Sequence, residues 1–324
     1  MFVATADLSA SPPLCRYDEP TRDPVRVGLV QHRWQPDVEA VTAELADGIA
    51  TAADLGARVV FLPEITLLRY PAFVRGGDDA AANAESLDDG PTITFARQMA
   101  TTHGIHVHAS VYERTDGVGD GLGFNTAILV SPSGELVGRT RKLHIPVTSG
   151  YYEDTYFRPG PADDDPYPVY RPDGLGGAAL GLPTCWDEWF PELARAYSLA
   201  GADMIVYPTA IGSEPDFPDF DTEPLWHHVI TGNAITAGTF MIVPNRHGDE
   251  GQITFYGSSF ICDPYGRVLV RAPRDESAVL VADLDLNLRH DWLTLFPFLR
   301  TRRPDTYGPL VAPVADTTLG ERRS

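Results

Sequence analysis

The sequence predicts an α/β sandwich, with helices outside and sheets inside. Three observations carry this. Apolar runs of strand length alternate with segments whose apolar residues recur every three or four positions. Two further stretches read as hairpins, each a pair of strand-like runs around a turn. No composition break or long linker divides the 324 residues, so one domain is favoured. Elements of this kind bury one face each, and stacked layers result.

Residues 1–24 are rich in proline and charge and have no period, so they are expected to be a loose extension. "VRVGLVQH" (25–32) is a buried strand. Val38, Val41, Leu45, Ile49 and Ala52 have helix spacing, and Gly56 suits the end of that helix. "ARVVFLPE" (57–64) is a second buried strand that ends in a carboxylate, and 65–90 is irregular and acidic. A helix over 91–103, a strand over 105–113 and a hairpin over 125–144 follow. "GAALGLPTC" (177–185) reads as a strand, 190–200 as a helix and 203–210 as a strand. The alternation continues with a helix near 225–237, a strand at 239–245, a hairpin at 254–270 and a strand at 278–284. The expected domain therefore runs over 25–296, with a tail rich in proline and arginine over 297–324.

Composition excludes several classes. Forty-five acidic residues against 25 basic ones give a net charge of −20, which argues against nucleic-acid and anionic-membrane partners. No apolar run approaches the roughly 20 residues of a membrane span, and no secretory leader is evident. Cys15, Cys185 and Cys262 are too few and too far apart for a disulfide framework or a C-x-x-C motif, which fits a reducing, cytoplasmic setting. Of the 25 basic residues 24 are arginine, and the one lysine is Lys142. Lysine and arginine differ in shape and in pKa behaviour, so a lone lysine marks a position worth testing.

Cys185 ends an apolar strand and precedes "WDEWFPELARA", where Pro191 suits a helix first turn. A thiol at such a junction lies near unpaired N–H groups, which lower a thiol pKa and can hold an oxyanion. The competing reading is an inert buried cysteine. Glu64, at a strand end, could serve as a base if partly desolvated; the alternative is a solvated loop acid. Lys142 could stabilise an oxyanion or could be a surface lysine. Glu153 lies among aromatics in "GYYEDTYFRPG", where a buried carboxylate needs a cationic partner. His103, His106 and His108 lack a third-ligand pattern and read as satisfied or exposed; His227 and His228 are adjacent on a helix and face different ways. "DGVGDGLG" (116–123) is a flexible loop rather than a phosphate turn. Asp78–Asp79, Asp88–Asp89 and Asp163–Asp165 read as solvated loops.

Taken together, "FLPE", "GRTRKLHIP" and "LPTCWDEWFPE" resemble the nitrilase, or carbon–nitrogen hydrolase, superfamily over residues 25 to 310. The resemblance implies a four-layer α-β-β-α sandwich and a homo-oligomer. It implies Glu64 as general base, Lys142 as oxyanion-stabilising cation, Cys185 as nucleophile and Glu153 as a second, positioning carboxylate. It also implies a small-molecule substrate and no metal or organic cofactor. "GYYEDTYFRPG", "CWDEWFPE" and "TFYGSSFICDPYG" are similar to the N-carbamoyl amidohydrolase branch of that superfamily, which includes the N-carbamoylputrescine amidases. Val147, Asn233 and Gly238 depart from that branch's pattern and are expected to flank the pocket. Tyr70 and Trp186 are expected at the substrate, with Glu188, Glu192 or Glu214 to meet a cationic tail, Glu214 first. An amidase, nitrilase or acyl transferase with the same residues, and a non-catalytic binding protein, are the competing readings.

Overall fold

The computed structural model describes residues 1–77, 79–115 and 120–314. Asp78, residues 116–119 of the expected flexible loop at 116–123 and the last ten residues of the tail lie outside the described residues.

Two sheets stack face to face. The first has seven strands in the order Phe2–Ala6, Ala278–Leu284, Val25–Gln31, Val59–Phe61, His106–Glu113, Phe124–Val130 and Leu136–Arg141. The second has six, in the order Val268–Arg271, Phe260–Cys262, Phe240–Val243, Met204–Val206, Leu180–Gly181 and Val169–Tyr170. Between them, Val27, Leu29, Phe61 and Leu129 meet Leu180, Met204, Val206, Phe240 and Ile242 in one core. Each such apolar side chain contributes roughly 1.5–3 kcal/mol on burial.

Helices α1 (Val38–Asp54) and α2 (Pro91–His103) cover the outer face of the first sheet, through Val41, Leu45, Ile49, Ile93 and Ala96 on Val30, Val60 and Val107. Helices α3 (Pro191–Leu199) and α4 (Glu223–Ala237) cover the second, through Leu193, Trp226 and Ile230 on Ile205, Met241 and Val243. The four layers are thus α-β-β-α. Asp37 caps α1, accepting from the N–H groups of Glu39 and Ala40, and Pro191 opens α3 at its first turn. Gly48 lets α1 approach the sheet: a Cβ there would lie 2.8 Å from a Val30 methyl. A short helix α5 (Asn287–Leu295), which the sequence reading leaves unassigned, buries Leu288 and Asp291. Among the described residues, no helix is long and apolar enough to cross a membrane.

The structure corrects several expectations. The supposed loose extension begins with an edge strand: Phe2–Ala6 pairs in parallel with Ala278–Leu284, and Ser11 and Arg22 bond Asp263 and Asp203. Backbone pairing needs no apolar period, which is why the sequence hid it. The strand expected over 177–185 shrinks to Leu180–Gly181, since Pro183 has no N–H to give. The hairpin at 254–270 splits: Thr254–Tyr256 pairs with His247–Asp249, while Phe260–Cys262 pairs with Val268–Arg271. Gly257 and Ser258, at φ 55° and 56°, turn the chain between them. Finally, His108 is neither satisfied nor exposed. It is buried with both ring nitrogens unpartnered among the described residues, and burial pushes its pKa down to about 3, so the ring is neutral.

Candidate active site

Several segments end at one rim of the sandwich. Glu64 stands just beyond Val59–Phe61, and Lys142 directly follows Leu136–Arg141. Glu153 opens the 3-10 turn Glu153–Thr155, and Cys185 opens the 3-10 turn Cys185–Trp189. Such rims, beyond the strand ends of α/β sheets, are where chemistry collects, because side chains there converge without breaking the ladders.

Lys142 Nζ donates to Glu64 Oε1 at 2.9 Å and to Glu153 Oε2 at 2.7 Å, and all three side chains are buried. An ammonium carries three N–H donors, so one remains for another acceptor. Glu64 Oε1 also accepts from Asn125 Nδ2 at 2.7 Å. Glu64 Oε2 is buried and has no hydrogen-bond partner among the described residues. Tyr70 OH donates to Glu153 Oε1 at 2.8 Å. One carboxylate oxygen of the cluster is therefore held open while the others are engaged.

The electrostatics follow from burial. Burial opposes the Lys142 charge, but Glu153 and Glu64 outweigh it and hold the ammonium above the usual lysine range. Burial pushes the Glu153 carboxyl up to about 7, with Lys142 pulling it down and Glu64 pushing it up. One ammonium does not neutralise two desolvated carboxylates.

Cys185 is 7% exposed and sits at φ 35°. A left-handed backbone costs a non-glycine residue about 1–3 kcal/mol and is retained only where surroundings enforce it. Burial, then Glu64, pushes the thiol well above its ordinary range, and Lys142 only partly offsets them. This corrects the expectation of a thiol acidified by unpaired N–H groups. The Cys185 N–H is itself occupied, donating to Pro208 O at 3.0 Å, and desolvation dominates. The resting group is a thiol that needs a base.

Asp187 ties the Cys185 turn to the segment after Lys142. Its Oδ1 accepts the His144 N–H at 3.0 Å and its Oδ2 the Thr184 N–H at 3.1 Å. Thr209 O accepts the Glu64 N–H at 3.4 Å, so the segment after Met204–Val206 contacts both the Cys185 and Glu64 backbones.

The expected substrate residues scatter. Tyr70 is fully buried with its hydroxyl on Glu153. Trp186 is partly exposed beside Trp189, ring centroids 6.2 Å apart. Glu188 is buried and accepts from Trp226 Nε1 at 2.7 Å and Thr209 Oγ1 at 3.3 Å; burial pushes its carboxyl well above the usual range. It is committed to the protein rather than offered to a cation. Glu192 lies exposed in the first turn of α3. Glu214 is half-buried on the loop before α4, accepts from Thr222 Oγ1 at 3.3 Å, and is raised by burial. It adjoins Tyr151, whose hydroxyl accepts the Gly212 N–H at 3.2 Å and whose ring centroid lies 6.0 Å from that of Tyr70. A cleft of about 400 Å³, lined by Ser213, Thr222, Phe255 and Tyr256, opens beside these aromatics. Of the three departures, Val147 is exposed, Gly238 is the left-handed cap of α4, and Asn233 donates to Glu188 O at 3.0 Å.

The sequence reading missed Asn125, Asp187, Arg246 and Glu250. Asn125 had a signal, as a polar residue opening an apolar strand; Arg246 and Glu250 had another, an opposite-charge pair four residues apart. Among the described residues, no group of three or more His, Cys, Asp or Glu could hold a metal ion.

Fold and site define a class. The carbon–nitrogen hydrolase family model matches residues 26–293, and the chain belongs to that family, within the nitrilase superfamily. It is similar to citrullinase of Francisella tularensis, 32% identical over 292 residues, 89% of this chain and 98% of that one. It is equally similar to N-carbamoylputrescine amidase of Arabidopsis thaliana, 32% identical over 301 residues, 90% of this chain and 97% of that one. A carbon–nitrogen hydrolase structure from Helicobacter pylori superposes with TM-score 0.80 at 28% identity, covering 90% of this chain and all of that one.

Proposed function

We propose that the chain is a cysteine amidohydrolase that cleaves an N-carbamoyl amine, N-carbamoylputrescine first among them. The observation that carries the catalytic reading is the open Glu64 Oε2 beside a thiol that burial keeps protonated. Glu64 takes the Cys185 proton, and the thiolate attacks the carbamoyl carbon. The remaining N–H of Lys142 and the backbone N–H of Trp186, in a first turn with no intrahelical acceptor, hold the tetrahedral oxyanion. Glu64 returns the proton to the departing nitrogen as the carbon–nitrogen bond breaks. Water, activated by Glu64, then cleaves the acyl–sulfur bond. The carbamate so formed falls apart, so one substrate and one water give the amine, ammonia and carbon dioxide. Glu153, fixed by Tyr70, positions Lys142.

The substrate class rests on the relatives' names and on Glu214. N-carbamoylputrescine carries its ureido group on a chain ending in an ammonium, citrulline on one ending in a zwitterionic α-amino acid, and a half-buried carboxylate next to Tyr151 offers the ammonium of either a partner. Glu214→Gln should raise KM for N-carbamoylputrescine at least about tenfold, and far less for a neutral N-carbamoyl amine. Equal effects would remove Glu214 from this role. Ammonia release from N-carbamoylputrescine, citrulline, simple amides and nitriles, with Cys185→Ala as blank, tests the substrate class. A citrulline preference is the second reading, favoured by the equal identity to that relative. The rest of the proposal is a cytoplasmic homo-oligomer acting in polyamine formation. Its supports are three unpaired cysteines and exposed apolar residues such as Phe217, Phe220, Leu295 and Phe296.

A further inference from the structure

Arg246 is a fully buried guanidinium outside the catalytic group. It follows the second-sheet strand Phe240–Val243, yet it works on the first sheet's rim. Its Nη2 donates to Ile65 O at 3.2 Å and to Leu68 O at 2.9 Å, and its Nη1 bonds Glu250 Oε1 at 2.9 Å. Glu250 Oε2 then accepts the backbone N–H of Tyr70 at 3.1 Å. One ion pair thus grips the turn 65–70 at three backbone points.

That turn is under strain at its start. Among the described residues only Ile65, Cys185 and Ser258 are non-glycine residues with positive φ, and Ile65, at φ 47°, immediately follows Glu64. A β-branched residue in that region persists only if its neighbours over-determine it. Ser110 Oγ holds the Ile65 N–H at 2.9 Å, and Arg246 holds its carbonyl. The far end of the turn carries Tyr70, whose hydroxyl reaches Glu153. The grip therefore governs both carboxylates that hold Lys142, one through the peptide after Glu64 and the other through the Tyr70 side chain. It also crosses from the sheet that carries Cys185 to the sheet that carries Glu64.

We propose that Arg246 and Glu250 are positioning residues that set Glu64 against Cys185, a role that rests on the catalytic reading above. A planar guanidinium can span two carbonyls and a carboxylate at once; an ammonium at the same place cannot reproduce that fork. Misplacing a base by about 1 Å costs on the order of a hundredfold in rate.

The test uses the full chain as Arg246→Lys and Glu250→Gln, with thermal melting to verify folding and Glu250→Gln carrying the test if the lysine variant does not fold. Three quantities are read: kcat, KM, and the rate at which iodoacetamide alkylates Cys185 relative to Cys15 and Cys262. The expected result is a fall in kcat of about ten- to a hundredfold with KM within about twofold, and alkylation of Cys185 slowed in parallel. A lowered melting temperature with kcat and alkylation unchanged in folded protein overturns the clamp and leaves the catalytic reading standing. Wild-type Cys185 alkylating no faster than Cys15 and Cys262 overturns the catalytic reading, and the clamp's role with it.

Discussion

The two rims that meet at the site differ in kind. The first sheet presents charge: Glu64, Lys142 and, next to them, Glu153 form a buried ion cluster with the Lys142 hydrogen bonds at 2.7 and 2.9 Å. The second presents groups whose protons burial holds more tightly, the Cys185 thiol and the Glu188 carboxyl, on a turn that starts at a left-handed cysteine. One side is rigid by mutual attraction, the other by packing and strain. The difference teaches how a buried thiol can still be used. Its proton has somewhere to go, because the charged rim keeps one carboxylate oxygen unengaged and an ammonium next to it.

The largest way to break this contrast is to alter the charged rim without altering its charge. Lys142→Arg should fold and should lower kcat by at least about 10²–10³-fold, because a fork cannot occupy a site shaped for a compact ammonium between two carboxylates. Steady-state ammonia release checks it; near wild-type turnover would mean that the lone lysine is an accident of composition.

Glu153→Gln probes the same rim through pH. Its folded pKa, about 7, lies above the ordinary 4.5, so the folded chain holds that proton more tightly than the unfolded chain does. This group therefore costs stability progressively as pH rises from 4.5 through 7. The variant should flatten the fall in melting temperature across that window while kcat drops about tenfold or more. An unchanged slope would contradict the assignment.

The smallest effect is expected on the second sheet's rim. Glu188→Gln keeps the shape and the Trp226 contact, so kcat should stay within about threefold. Since the Glu188 carboxyl is also raised, the glutamine should increase the melting temperature by a few degrees, roughly, with a gain that grows as pH rises above 4.5. A KM change confined to cationic substrates would instead move Glu188 into the binding site.

Much of this contrast was legible in the sequence. The helix-period residues of α1 and the strands leading toward Glu64 and Cys185 follow from local pattern, although those strands stop at Phe61 and Gly181, and the single lysine marks Lys142. Three features were not legible because they depend on the fold meeting itself. The N-terminal edge strand is held by backbone pairing with residues more than 270 positions away. The sign of the Cys185 shift depends on how deeply the turn is buried, which spacing does not encode. Arg246 and Glu250 are, in sequence, only opposite charges four residues apart; the fold places them across from Ile65 and Tyr70.

The most direct test of the central claim is ammonia release from N-carbamoylputrescine by folded Cys185→Ala beside the wild-type chain. The account predicts turnover for the wild type and none above the buffer blank for the variant. Release by the variant at a rate within about tenfold of wild type would contradict a covalent role for Cys185.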